Sequence, residues 1–224
     1  MPLKRHYPDI RFSGNLVTPD EIDRYEQYQV INPAVSATFF GSATAGTVSQ
    51  AVTVGLGNTV ADYPRNVLAA FTGSASVSGT MTVTGKDQFG AAVSEVLGLA
   101  QGTQTSGDIE GTSIFAEISA CSVAMGTGVS GTGTVSLGVV IAEGSVMFGL
   151  PAKIGAVSDV KAITWTTESG IPTVLNGGTV ASTDYVDTGV HAFKGSAALV
   201  GTTTYSVLFK PSYVAESLAK MANL

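Results

Sequence analysis

Between Glu26 and Asp62 the chain contains no charged residue, and this neutral run limits what the chain can form. The run consists mainly of Val, Ala, Thr, Ser and Gly. β-Branched residues favour strands, whereas Gly and Ser favour the turns between strands. Hydrophobic residues make up 44% of the chain, and many are Ala and Val, which favours thin, closely stacked sheets over a helical core. We therefore predict a protein built mainly of β-strands.

The chain is poor in side chains that carry out chemistry. It has two histidines, one cysteine and charged residues at 12% of its positions. The lone Cys121 cannot form an internal disulfide, and a metal site built from Cys and His needs more ligands than these. Gly126, Gly128 and Gly131 match the dinucleotide-binding pattern, but a strand-like run follows them where that motif needs a helix. We expect a protein that is not an enzyme, with no catalytic residues, no cofactor and no metal.

The charge balance indicates which partners to expect. The net charge is −6 with a pI of about 4.8, whereas nucleic-acid binding needs clustered Lys and Arg. The segment around Lys4, Arg5 and Arg11 is the locally basic part of the chain. Residues 1–12 are charged where a signal peptide would be apolar, and the most membrane-like stretch, residues 135–157, is interrupted by charges and proline. We expect synthesis in the cytoplasm and binding to neither nucleic acid nor membrane.

The first 33 residues form an arm that combines aromatic and charged side chains. Thr18 lies at an N-cap position, Pro19 at the first helical position, and Glu21 completes a capping box. This pattern predicts a short N-terminal helix over residues 19–28. Exposed arms rich in aromatic and basic side chains commonly grip a neighbouring subunit. The candidate interface residues of the arm are Tyr7, Arg11, Phe12 and Tyr25.

Residues 34–224 are predicted to form an antiparallel β-sandwich of the jelly-roll or immunoglobulin-like type. Polar and apolar residues alternate in segments 52–54, 80–84 and 134–137, which predicts half-buried strands whose hydroxyls point outward. The Gly- and Asp-containing run at residues 85–90 predicts a hairpin turn between antiparallel strands. One sandwich is therefore the expected body of the protein.

The last third of the chain continues in the same style. Strands are predicted at residues 161–165 and 205–210, with a turn at 176–178 between them. A short helix is predicted within residues 212–224. A sub-boundary near residue 152 would make this region a small second module, and the sequence leaves that alternative open. Two aromatic residues, Phe71 and Trp165, are expected in the core.

Several isolated polar residues have a structural and a functional interpretation. Asp108 and Glu110 flank Ile109 on one strand face, so together with Asp87 they could bind Ca²⁺, although a solvated loop is the favoured interpretation. Asp184 and Asp187 receive the same interpretation. His191 lies in a strand-like stretch, where an imidazole usually forms a hydrogen bond or faces solvent.

Arg65 is the only cation between Arg24 and Lys86. A cation this isolated needs a carboxylate partner, and Asp62 and Asp87 are the two candidates. The pair would be either a local salt bridge or part of a subunit contact, since arginine is enriched at interfaces. Arg65 is therefore the fifth candidate interface residue.

A series of motifs between residues 60 and 151 resembles a group of tailed-bacteriophage virion proteins. The series runs D-Y-P-R-N-V at residues 62–67, S-G-T-M-T-V-T-G-K-D-Q-F-G at 78–90, E-V-L at 95–97, and F-G-L-P at 148–151. In that group a D-x-P-R-N-V opening is followed by a G-T-V-T-V-x-G-x-D-x-x-G hairpin and a later G-L-P segment. The resemblance covers less than half of the chain.

The resemblance implies a structural component of the virion, namely a capsid decoration or cement protein that binds the outer surface of the major capsid protein lattice and stabilises the head. Its implied partners are the major capsid protein and neighbouring copies of itself. Two alternatives stay open. One is a tail-tube or other tail subunit, which shares the sandwich and the acidic balance. The other is a carbohydrate-binding or adhesin domain with Trp165 or Tyr185 as the stacking platform.

Overall fold

The computed structural model describes residues 25–45, 51–73, 79–99, 106–126, 133–141, 145–166, 172–174, 186–195 and 202–212. In these residues the strands are β1 (Glu26–Ile31), β2 (Gly41–Ala45), β3 (Ala51–Thr53), β4 (Gly55–Leu56), β5 (Val60–Arg65), β6 (Val67–Gly73), β7 (Gly79–Lys86), β8 (Ala92–Leu99), β9 (Ser106–Glu110), β10 (Phe115–Met125), β11 (Gly133–Val139), β12 (Met147–Gly149), β13 (Val160–Thr166), β14 (Pro172–Val174), β15 (Val186–Asp187), β16 (Ala192–Lys194) and β17 (Thr204–Phe209). One 3₁₀ turn, Val157–Asp159, is the helical element of the same residues.

These strands form three sheets. The first has the order β1-β17-β13-β14, the second β15-β16-β12-β5-β10-β7-β8 with β3 also paired to β10, and the third β4-β2-β11-β6-β9. Every pairing between the described strands is antiparallel. The prediction of a mainly β, antiparallel sandwich is therefore confirmed.

Two large hydrophobic cores separate the layers. The first core lies between the eight-stranded and five-stranded sheets, and the second joins the four-stranded sheet to β6, β12 and β16. The largest side chains of the first core are Phe40, Phe71, Met81, Phe115 and Met125. The largest of the second core are Phe148, Phe193, Tyr205 and Phe209.

Strand β6 belongs to both cores. Val67, Ala69 and Phe71 pack in the first core, whereas Leu68 and Ala70 pack in the second. A strand that is covered on both faces has a continuous apolar run in place of alternation. The run V-L-A-A-F therefore places β6 in the middle of three layers. The prediction that Phe71 is a core aromatic is confirmed, whereas the side chain of Trp165 lies outside the described part of the chain.

The predicted alternation holds for β3 and β7 but is wrong for one residue of β11. Ser136, expected to point its hydroxyl outward to solvent, is only 6% exposed. Its register partner on β6 is Ala70, which packs in the second core, so a further layer covers this face. The layer lies so close that a Cβ on Gly138 would overlap the backbone of Ala37.

The predicted N-terminal helix is wrong where it can be compared with the structure. Residues 19–24 lie outside the described residues, but from Glu26 the chain is strand β1, paired with β17 from Glu26↔Phe209 to Ile31↔Thr204. The capping pattern is a local signal, whereas Val30 is buried against the second core by a distant partner. The turn predicted at residues 176–178 and nearly all of the C-terminal helix, from residue 213 onward, also fall outside the described residues.

The hairpin predicted at residues 85–90 is confirmed. Strands β7 and β8 pair in register from Gly79↔Leu99 to Lys86↔Ala92, with the turn at Asp87 to Ala91.

Within the residues described, no helix is long and apolar enough to cross a bilayer. The membrane-like stretch at residues 135–157 contains most of β11 and all of β12.

Candidate functional site

The chain crosses from the eight-stranded to the five-stranded sheet at Asn66, which lies between β5 and β6. Asn66 is buried, and all its side-chain polar atoms are paired. Its Nδ2 donates to the carbonyl oxygens of Gly111 and Ser145, both at 2.8 Å, and its Oδ1 accepts from the Met147 amide at 2.9 Å. This one side chain therefore connects two separate loops and a strand to the corner between the sheets.

Arg65, the residue before this corner, is 0% exposed. Its Nη1 donates to the Ala34 carbonyl at 2.9 Å and its Nη2 to the Val140 carbonyl at 2.8 Å. The Asp62 carboxylate lies 3.5 Å from Nη1, and the guanidinium carbon lies 4.9 Å from the centre of the Phe148 ring. Burial lowers the pKa of Arg65, and the nearby Asp62 opposes that shift.

The structure decides between the two interpretations of Arg65. Its carboxylate partner is Asp62, and Asp87 instead belongs to the β7–β8 turn. Because the guanidinium is enclosed by this chain's own backbone and by Phe148, it cannot contact another subunit. The prediction of Arg65 as an interface residue is therefore wrong, and the local salt bridge is correct.

The residues before Arg65 hold the segment that follows β1. The Tyr63 hydroxyl accepts from the Ile31 amide at 3.1 Å and donates to the Ile31 carbonyl at 3.0 Å. Asp62 Oδ2 accepts from the Ala34 amide at 2.6 Å. We call the four residues Asp62, Tyr63, Arg65 and Asn66 the sheet joint. It fixes the last residue of β1, Ile31, and the segment up to Ala34 to the corner between β5 and β6.

Tyr25 is the one predicted arm residue that the structure describes, because Tyr7, Arg11 and Phe12 lie outside the described residues. Its side chain is partly accessible at the start of β1, an edge strand of the four-stranded sheet. The Lys161 ammonium lies 5.8 Å from the centre of its ring. Tyr25 is therefore placed where a neighbouring subunit could reach it, and its role at an interface stays a prediction.

A cleft of about 270 Å³ opens between the β7–β8 turn and the β15–β16 turn. The first turn is fixed by Asp87, whose Oδ1 accepts from the Phe89 and Ala91 amides at 2.8 Å each. Gly90 completes this turn with φ +81°, a conformation that favours glycine. The residues lining the cleft are Asp87, Gln88, Phe89, Val93, Ser113, Ile114, Lys153, Gly189, Val190 and His191.

The second turn ends at His191, and here the expectation of a strand is wrong. His191 has φ +51° and lies in a turn immediately before β16. Asp187 Oδ1 accepts from the Gly189 amide at 2.8 Å and from the Val190 amide at 3.2 Å, which closes the turn. His191 Nδ1 accepts from the Ile154 amide at 3.4 Å, so the expected hydrogen-bonding role is confirmed.

Gln88 connects the two turns across the base of the cleft. Its Nε2 donates to the Val190 carbonyl at 2.9 Å and to the His191 carbonyl at 3.4 Å. The Phe89 and His191 rings meet edge to face, with centres 5.6 Å apart. The Leu150 amide donates to the His191 carbonyl at 2.8 Å. The walls of the cleft are therefore fixed to one another and to the end of β12.

The acidic residues do not come together as a cation site. Asp108 and Glu110 are exposed on the same face of β9, as predicted, with Ile109 between them half-buried. Asp87 is held in its own turn. Across the described ranges, no group of three or more His, Cys, Asp or Glu side chains could hold a metal ion. Asp184 lies outside those ranges.

Similarity to known proteins is found among solved structures. No model of a known protein family matches the chain, and no curated protein matches it. Among solved structures, the chain is similar to one described as "Structure of infectious bursal disease virus Gx strain", with 13% identity and a TM-score of 0.28. The match covers 90% of this chain and 45% of that chain, so this chain spans less than half of the viral chain it matches.

Proposed function

We propose that this chain is a non-enzymatic structural protein of a virion. In this proposal it decorates the capsid: it binds the outer surface of the major capsid protein lattice, contacts neighbouring copies of itself and stabilises the head. The observation that carries the proposal is the sheet joint. Its residues belong to the 62–67 motif on which the resemblance to tailed-phage virion proteins depends, and they bind the protein's own backbone.

In this proposal the arm grips a neighbouring subunit, and the sheet joint anchors the segment to which the arm is attached. An arm under tension transmits force to its base, and here the base is β1 with the segment up to Ala34. The six-residue pairing with β17 and the hydrogen bonds from Asp62, Tyr63 and Arg65 hold this base. Tyr7, Arg11 and Phe12 would therefore make their contacts from a fixed point on a rigid body.

The outer face of β1 and β17 has the composition of an interface. Gln27, Gln29 and Ile31 alternate with buried or half-buried residues of β1, so they share this face, and Leu208 is the register partner of Gln27. Ile31 is 50% exposed and Leu208 is 38% exposed. Interface centres are depleted in charge and enriched in aromatic and apolar side chains. The arm and this uncharged face together form the proposed contact surface.

Deletion of residues 1–24 tests the proposal. The deletion ends before β1, so the described strands and both cores are kept. We expect a folded protein that no longer cosediments with capsid shells assembled without it. In the full-length chain, the double variant Tyr7→Ala with Phe12→Ala should weaken this cosedimentation, whereas Lys86→Met, at an exposed ion pair far from the arm in sequence, should leave it unchanged.

Two outcomes would count against this function. Undiminished shell binding by both arm variants would show that the arm does not attach the protein. Assembly of the purified protein into hexameric rings or tubes, without affinity for shells, would replace the decoration role with that of a tail-tube subunit.

A further inference from the structure

The cleft between the β7–β8 and β15–β16 turns is held in shape by hydrogen bonds. Its lining comes from five parts of the chain: the turn after β7, Val93 of β8, residues 113–114, Lys153, and the turn before β16. Hydrogen bonds from Asp87, Gln88 and Asp187 fix both turns. Its volume of about 270 Å³ lies just below the usual range for small-molecule sites, which is about 300–1,000 Å³. A ligand of one ring would fill it.

The polar groups still free at the cleft are mostly donors. Within the described residues, the Lys153 ammonium has no hydrogen bond or ion pair, and it lies 5.5 Å from the centre of the Phe89 ring. Because His191 Nδ1 accepts from the Ile154 amide, a neutral ring carries its proton on Nε2. Both side chains are therefore available to hold an acceptor.

The acidic groups at the cleft are already engaged. Asp87 accepts two backbone hydrogen bonds, and Asp187 also accepts two beneath the second turn. One acceptor is left without a partner, since Gln88 Oε1 is buried and forms no hydrogen bond. This oxygen faces the interior, since it would lie 3.1 Å from a Cβ placed on Gly149, so it is not available to a ligand in the cleft.

We propose that this cleft binds a single acidic sugar of the uronic or sialic acid class. Lys153 Nζ and His191 Nε2 donate to the sugar carboxylate. The accessible part of Phe89 packs against the apolar C–H groups of the sugar ring. None of the residues that line the cleft belongs to the arm or to β1 and β17, so binding of the sugar can be measured without capsid shells.

The test is a titration of the full-length protein with glucuronate and with N-acetylneuraminate, with glucose as the neutral sugar, followed by calorimetry and by amide chemical shifts. We expect one of the two acids to bind in a one-to-one ratio and to shift the amide signals of Gln88, Phe89 and Val190. Glucose should bind at least tenfold more weakly. Lys153→Met and His191→Asn should each weaken binding of the acid about tenfold.

Lys161→Met is the matched control, because the Lys161 ammonium also lies over an aromatic ring but outside the cleft. It should leave the affinity unchanged. Equal loss of binding in Lys161→Met and Lys153→Met would overturn the proposal, as would equal binding of glucose and the acids. Absence of any shift at the cleft amides, or binding of an acetylated glutamate peptide in place of both sugars, would also overturn it.

Discussion

Asn66 shows how one buried side chain can define the corner of a sandwich. Replacement by Ala would leave the Gly111 and Ser145 carbonyls and the Met147 amide without their partner. Unsatisfied buried groups are costly, so we expect Asn66→Ala to lower the free energy of unfolding by about 3 kcal/mol in urea denaturation. The matched control is Asn58→Ala. Asn58 is exposed and its side chain donates one hydrogen bond, to the Phe39 carbonyl, so the cost should stay below about 1 kcal/mol.

Equal effects of the two asparagine variants would contradict this role of Asn66.

The sequence did not single out Asn66, although it lies inside the motif that carries the resemblance. Nothing local distinguishes an asparagine that is satisfied by distant loops from one that faces solvent. For Arg65 the sequence correctly required a carboxylate, because the surrounding run is neutral, but it could not tell that the pair is buried.

The ionisation of Tyr28 makes the free energy of unfolding depend on pH in the alkaline range. Burial, with added repulsion from Tyr63 and Asp62, raises the pKa of Tyr28 from 10.0 to about 12. Between these values the unfolded chain loses the phenol proton before the folded chain does, so the free energy of unfolding falls as the pH rises. Below pH 10 this contribution is fully present.

The variant Tyr28→Phe removes that titration. We expect its free energy of unfolding to fall less steeply between pH 10 and 12 than that of the unmodified protein, in urea denaturation at a series of pH values. Some decline should remain, because burial also raises the pKa of Cys121 from 9.0 to about 12. Identical slopes in the two proteins would show that Tyr28 does not titrate differently on unfolding.

Among strands and turns, the β7–β8 hairpin offers a matched pair of glycines. A Cβ would meet nothing within 4 Å at either Gly90 or Gly98, but only Gly90, with φ +81°, has a left-handed backbone. We expect Gly90→Ala to cost about 1 kcal/mol in thermal or urea unfolding. Gly98→Ala, in the edge strand β8, should be neutral or slightly stabilising. A loss in Gly98→Ala as large as that in Gly90→Ala would mean that conformation is not the cause.

The elements that were predicted correctly depend on local signals. The hairpin follows from a Gly-Asp turn between two alternating strands, and both partners lie within about 20 residues of one another. Strand β1 was missed because its partner, β17, lies more than 170 residues away, as Gln27 and Ser206 show. The cleft could not be predicted either, since Gln88, Lys153 and His191 come together only when the sheets pack.

At the scale of the whole molecule, the second core packs residues from before and after residue 152 together. Leu68 and Phe148, which precede that position, pack in the same cluster as Ile163 and Phe209, which follow it. Ile141 packs against both cores. Strand β6 also contributes to both. We therefore expect the described sheets to unfold together as one cooperative unit.

Two large-to-small substitutions test this cooperativity. Phe115→Ala creates a cavity in the first core and Phe209→Ala in the second, and each should cost about 3–5 kcal/mol. Differential scanning calorimetry should show a single transition in the unmodified protein, and each variant should move the whole transition to lower temperature. If the region after residue 152 were a separate module, Phe209→Ala would split the transition and leave one part where it was. A single transition that shifts as a whole in both variants would instead show that the two cores belong to one folding unit, because a loss of packing in either core would then destabilise every sheet.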